Sequence, residues 1–160
     1  MRIMSSGSNY VSGEVRQTRG AVGRGFSAVL KVDEAGGIVD YEFANAEAHG
    51  AGYDANTQVD VFYPGTNIKM TGSVTSVDVL EGGSGHKAGA LVVKCEGACV
   101  GTGLAGVCQV DAIGAVTQVV VTSHGQGYNR DEPPTLWCGY GSSSPLMVPN
   151  VASGAQIEVN

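Results

Sequence analysis

Charge is scarce in this chain: Lys, Arg, Asp and Glu together make up 15%, and nine basic residues face fifteen acidic ones. The resulting net charge of −6 argues against a general nucleic-acid-binding protein, whose footprint would need clustered Lys and Arg. Five of the nine basic residues (Arg2, Arg16, Arg19, Arg24 and Lys31) nevertheless fall in the first 31 positions, so residues 1–22 read as a basic arm and first turn. Such an arm could dock on an acidic partner or reach nucleic acid, or it is simply a solvated terminus. Runs of Leu, Glu and Lys are missing, and no amphipathic helix longer than two turns can be drawn. No apolar run approaches the roughly 18 residues of a membrane span. The opening MRIMSSGSNYVSG has a charge but no apolar core of a signal peptide; if Met1 is the true start, the chain reaches its site without the usual secretory route. No N-x-[ST] sequon occurs, while GSSSP at 141–145 reads as a linker that could carry O-linked sugar in a secreted chain.

What the chain does have is glycine, 25 residues of it, and 42% hydrophobic residues, largely Val and Ala. That composition favours strands and turns, with enough apolar material for a core. Self-similarity is visible. Residues 7–53 and 83–128 both run from GS-x-[YH] through a G-x-G into an apolar strand, then Val-Asp, a Gly-bearing turn, a β-branched strand and H-G-x-G-Y. Gly25 aligns with Gly103, Asp33 with Asp111, His49 with His124 and Tyr53 with Tyr128, at offsets of 75 to 78 residues.

Alternation marks the strands. In GFSAVLKVD, Phe26, Ala28, Leu30 and Val32 share one face; Val59, Val61, Val77, Val79, Val119 and Val121 are further core positions. The predicted fold is all-β, a sandwich or barrel-like domain of about ten short strands from two pseudo-repeats. Residues 23–140 read as one domain and 141–160 as an extended segment. Its end, SGAQIEVN, alternates Ile157 and Val159 with polar residues, like the first strand of an unfinished unit. An unfinished unit exposes an edge, so Arg16, Arg19, Arg24, Ile157 and Val159 are assembly candidates; the rival is that this strand closes its own sheet.

The apparent chemistry fits turns better. GTGLAG at 101–106 matches a dinucleotide loop literally, but a strand follows it where a phosphate-binding helix would be needed. Ser123, His124 and Asp131 are close in sequence, but neighbouring strand residues face opposite ways, and no nucleophile elbow is present. His49, Tyr53, His86, His124, Tyr128, Trp137 and Tyr140 are read as turn or contact residues, stacking on sugars or a partner if they do more than cap sheets. Asp54, Asp60, Asp131 and Glu132 flank the turns and could bridge calcium, though the loop spacing is absent. No other cofactor is expected and no catalytic residue is assigned. Cys95, Cys99, Cys108 and Cys138 lack a C-x2-C knuckle, leaving two disulfides, free thiols or zinc open.

The stretches GSGH, GTGLAGVCQVD, GAVTQVVVTSHGQGYN and PPTLW resemble a glycine-rich β repeat of structural virion proteins, found in tailed phages (notably cyanophages) and large algal viruses. The resemblance covers residues 7–139; His86 stands in place of its Tyr and Asn9 in place of a Gly. It implies assembly and surface display: a non-enzymatic cement, decoration or fibre subunit in a virion or extracellular assembly. Its partners would be copies of itself and other structural subunits. The alternatives are a self-polymerising extracellular filament built by strand addition and a carbohydrate-binding module recognising surface glycans.

Overall fold

The computed structural model describes residues 1–17, 22–54, 57–139, 141 and 144–159. The chain is all-β, with strands β1 (Arg2–Ser8), β2 (Gly13–Gln17), β3 (Arg24–Val32), β4 (Ile38–Glu42), β5 (His49–Ala51), β6 (Thr57–Phe62) and β7 (Val74–Glu81). These are followed by β8 (Gly89–Ala90), β9 (Val92–Lys94), β10 (Thr102–Val110), β11 (Val116–Gln126), β12 (Thr135–Trp137), β13 (Leu146–Val151) and β14 (Ser153–Val159). The count exceeds the expected ten, with β5, β8, β9 and β12 only two or three residues long. One 3-10 turn, Ala46–Ala48, is capped by the Asn45 side chain. No helix among the described residues is long and apolar enough to cross a membrane.

Two compact units divide the chain: Met1–Thr71 with Ala152–Asn160, and Gly72–Val151. Each has its own apolar core. The first centres on Val15, Leu30, Ile38, Met70 and Ile157, the second on Val74, Cys108, Cys138 and Val151. This division differs from the expected arm, single domain and terminal segment. The supposed arm is built into the first unit, where β1 pairs with β14 and β2 lies between β3 and β6.

In the first unit the strand order is β1-β14-β6-β2-β3-β4, with β5 extending β3, and β1 runs beside β4 so that the sheet nearly closes on itself. The second unit follows the same circuit. β11, β10 and β8 form one sheet, β9 pairs with β12, β12 runs beside β13, β13 pairs with β7, and β7 runs beside β11. Registers match as well as order. Val29 sits between Glu14 and Glu42 as Val107 sits between Ala90 and Val120. Ile3 and Ser5 face Ile157 and Gln156 across a bulge, as Val79 and Glu81 face Met147 and Leu146.

The terminal strand therefore closes its own sheet. Ile157 and Val159 are buried in the first unit's core, and β14 has β1 on one side and β6 on the other. The assembly role expected of them is corrected: their side chains fill a core, and the strands beside β14, β1 and β6, belong to the same chain.

Candidate functional site

Four glycine–aromatic turns organise the two units. Tyr53 and Tyr128 follow paired glycines of positive φ, a backbone region that glycine enters without a Cβ penalty. The Tyr53 hydroxyl accepts a hydrogen bond from Phe26 N at 2.9 Å, and the Tyr128 hydroxyl one from Leu104 N at 3.2 Å. Tyr10 does the same with Ala155 N at 3.3 Å, its turn using Asn9 at φ 63° where the others use glycine. Each phenol thus ties its turn to the strand that begins across from it. The rings also need bare backbone beneath them: a Cβ on Gly23 would fall 2.5 Å from the Tyr53 ring, and one on Gly101 2.1 Å from the Tyr128 ring.

His86 occupies the fourth station. It is buried, Nδ1 lies 2.7 Å from the Cys138 carbonyl oxygen, and a Cβ on Gly141 would meet the ring. Asn9 and Tyr10 donate backbone N–H bonds to Ala35 and Gly36, as Gly85 and His86 do to Ile113 and Gly114. Across each of those hairpins, Asp33 Oδ1 accepts from Ala35 N and Gly37 N, and Asp111 Oδ1 from Ile113 N and Ala115 N. The two aspartates are turn-forming side chains.

The other histidines serve locally. His124 Nδ1 is 2.8 Å from the Val74 carbonyl oxygen, and His49 stacks on Phe43 with ring centroids 3.9 Å apart. Ser123 donates to the Gly103 carbonyl, and Asp131 is exposed, so Ser123, His124 and Asp131 do not form a relay. GTGLAG enters β10 directly. The carboxylates suggested for calcium are dispersed: Asp54 accepts from the Thr57 hydroxyl and Asp60 pairs with Lys69 at 2.7 Å. Among the described residues no three His, Cys, Asp or Glu side chains converge as a metal site requires. The cysteines form two disulfides, Cys95–Cys99 and Cys108–Cys138, both in the second unit. Trp137 is half-buried on β12 and lines a cleft of about 340 Å³ with His86, Thr135 and Pro145. Arg24 is exposed at the start of β3, Arg16 lies within β2, and Arg19 and Tyr140 fall outside the described residues.

Sequence reasoning passed over the outward faces of the sheets, where the units differ most. At matched registers the first unit carries Glu14, Val29 and Glu42 across three strands, with Lys31 reaching Glu42 at 3.3 Å. The second carries Ala90, Val107 and Val120. Where β1 and β14 present Met4, Gln156 and Glu158, β7 and β13 present Leu80, Leu146 and Val148. These strands follow one another around the second unit from β13 to β8: β7 lies against β11, Val116 N donating to the Gly82 carbonyl and Tyr128 N to that of Gly72. Two carboxylates stand among these residues: Asp78, opposite Val148, is held by the Asn150 amide at 3.1 Å, and Glu81 is exposed opposite Leu146. Aligning the outward positions of the two copies in register exposes this contrast; alternation within one strand does not, because Val is also the commonest core residue. Compared with protein-family models, curated proteins and solved structures, the chain matches none.

Proposed function

We propose that the chain is a non-enzymatic structural subunit of a larger assembly, and, following the sequence resemblance, a cement, decoration or fibre protein of a virion. One observation carries this reading. The side chains that suggest chemistry in the sequence are bonded into turns, whereas the second unit exposes Leu and Val side chains on its outer strands, where the first unit carries several glutamates. Groups already engaged by backbone are poorly placed to bind and turn over a substrate, and an exposed apolar patch is the ordinary mark of a contact surface. Two disulfides suit a location outside a reducing cell. A filament built by strand addition is less favoured, since β14 is already paired within its own sheet.

A second reading rests on the cleft beside Trp137: an indole at the edge of a shallow groove can stack on a sugar ring. Electron microscopy and mass spectrometry of purified native particles, together with a glycan array probed with the purified chain, separate the readings. The chain at fixed stoichiometry on a particle surface supports the proposal. A helical polymer of this chain alone replaces it with the filament reading, and a glycan-binding monomer replaces it with the carbohydrate reading.

A further inference from the structure

We propose that the Cys95–Cys99 disulfide is a site of thiol–disulfide exchange, opened by a low-molecular-weight thiol while the second unit stays folded. This goes beyond the assembly reading and does not depend on it. The two units supply an internal comparison that sorts the two bridges. Gly13 pairs with Leu30 as Gly89 pairs with Cys108, so Cys108 stands where the first unit has Leu30. Cys138 follows Trp137, the partner of Val92, and so falls opposite Leu91, as Val61 falls opposite Val15. Leu30 and Val61 are buried, and so are Cys108 and Cys138. The Cys108–Cys138 bridge therefore takes the place of apolar core residues at two matched positions. Cys95–Cys99 replaces nothing in a core. Residues 18–23, which join β2 to β3, contain no cysteine, so the fold does not demand a bridge in the equivalent connection, residues 95–101.

Exposure separates the bridges in the same way. Cys108 and Cys138 are 0% and 1% exposed and belong to the second core, whereas Cys95 and Cys99 pack against that core and are only partly buried. The residues between them, Glu96, Gly97 and Ala98, are all exposed, as is Val100 just beyond. The bridge closes a tight turn in which Cys99 N donates to the Glu96 carbonyl at 3.1 Å and Gly97 takes a φ of 62°. Exchange requires a thiolate to reach a disulfide sulfur, so access decides which bridge reacts. Partial burial selects a small thiol, since a cysteine fixed on a protein surface would have to bring its own backbone down to the turn.

In the first step the small thiolate attacks one sulfur of the pair. A mixed disulfide forms as the Cys95–Cys99 bond breaks, and the displaced cysteine leaves as a thiolate that takes a proton from water. A second small thiolate then attacks the small-molecule sulfur of the mixed disulfide, releasing the other cysteine and forming the small-molecule disulfide. Over both steps the protein bridge gains two electrons and two protons while two small thiols are oxidised. Opening frees only the turn. Lys94 stays in β9, paired with Thr135 of β12, and Gly101 stays beneath the Tyr128 ring, so both ends of 95–101 remain anchored. The outcome is a surface turn with two covalent states on a unit whose core bridge holds in both.

Graded reduced glutathione, alkylation of the released thiols and fragment mapping by mass spectrometry test this on the intact chain. Fluorescence of the one tryptophan, Trp137, records whether the second unit is folded. The expected result is glutathione or alkyl label on Cys95 and Cys99, with Cys108 and Cys138 still joined and Trp137 emission that of the folded chain. Release of Cys108 and Cys138 should be at least about tenfold slower, the factor that an opening free energy of about 1.4 kcal/mol gives. The double variant Cys95→Ser, Cys99→Ser should lose the fast reaction and keep the other bridge. A fast reaction that persists in it places the exchange elsewhere and overturns the proposal. So do equal rates at both bridges of the wild-type chain, or no release from Cys95 and Cys99 until the folded Trp137 signal is lost; these two outcomes are read on the wild type alone, whatever the variant's fold. The presence of the chain on native particles enters none of these measurements, so the assembly reading stands or falls separately.

Discussion

At the scale of single residues, the tyrosine hydroxyls and the glycines beneath their rings are where small changes have the clearest cost. The Leu104 N–H that bonds Tyr128 is buried, so Tyr128→Phe leaves a donor with neither protein nor water and should cost about 1–3 kcal/mol. Tyr53→Phe, at a part-buried site that water can reach, should cost less. Urea unfolding of the two variants checks the order, and equal losses would contradict it. Gly101→Ala drives a methyl into the Tyr128 ring and should destabilise by about 1–3 kcal/mol or more. If ring and methyl compete for one space, Tyr128→Ala costs less in the Gly101→Ala background than alone; strictly additive losses would refute that account. The sequence made these positions legible as turns, because H-G-x-G-Y occurs twice at a nearly constant offset. It could not reveal what each tyrosine bonds, because the partner lies 24 to 145 residues away along the chain. His86 was likewise visible as a substitution for tyrosine, but its bond to the Cys138 carbonyl spans 52 residues.

At the scale of strands, alternation identified β3, β6, β7 and β11 with their inward faces, since Phe26, Ala28, Leu30, Val59, Val61, Val77 and Val119 are all buried. It read β14 as a strand, with Ile157 and Val159 on one face, but left β1 unread and the pairing of the two unassigned, for a physical reason. A strand's own sequence states which face is buried but not which strand lies beside it, and β1 and β14 come from opposite ends of the chain. Cysteine pairing was open on the same ground. Cys108 in β10 and Cys138 just beyond β12 are close only once the second unit has closed. Chain entropy for their separation of 30 residues gives about 3–4 kcal/mol, against about 2 for Cys95–Cys99 with a separation of 4. The double variant Cys108→Ala, Cys138→Ala should therefore lower the second unit's unfolding midpoint well beyond Cys95→Ala, Cys99→Ala. The chain's one tryptophan, Trp137, lies in that unit, so its fluorescence reports on the second unit alone. Equal effects from both pairs would remove the long-loop bridge as the main restraint.

At the scale of the whole molecule, the first unit is discontinuous and the second is inserted between its β6 and β14. That organisation is compatible with independent folding only if each unit's ends already lie together. In the second they do, since Val74 pairs with Val151. In the first, the Tyr10 hydroxyl sits 3.1 Å from Thr71 Oγ1 and accepts from Ala155 N, which brings both broken ends to one phenol. Insertion at a point where chain ends are close is the arrangement that domains tolerate best. Residues 72–151 expressed alone should fold cooperatively, because they hold their entire core, both disulfides and Trp137. The complementary chain, with 72–151 replaced by two glycines, should also fold, but at a lower midpoint. A unit of this size buries a modest share of its surface, and the first has no disulfide to restrain its unfolded state. Thermal unfolding followed by near-ultraviolet circular dichroism of both fragments checks this, and two separate transitions should appear in the intact chain at the fragments' midpoints. A single transition in the intact chain, with fragments that lack fixed tertiary signal, would mean that the two cores are stable only as one cooperative body.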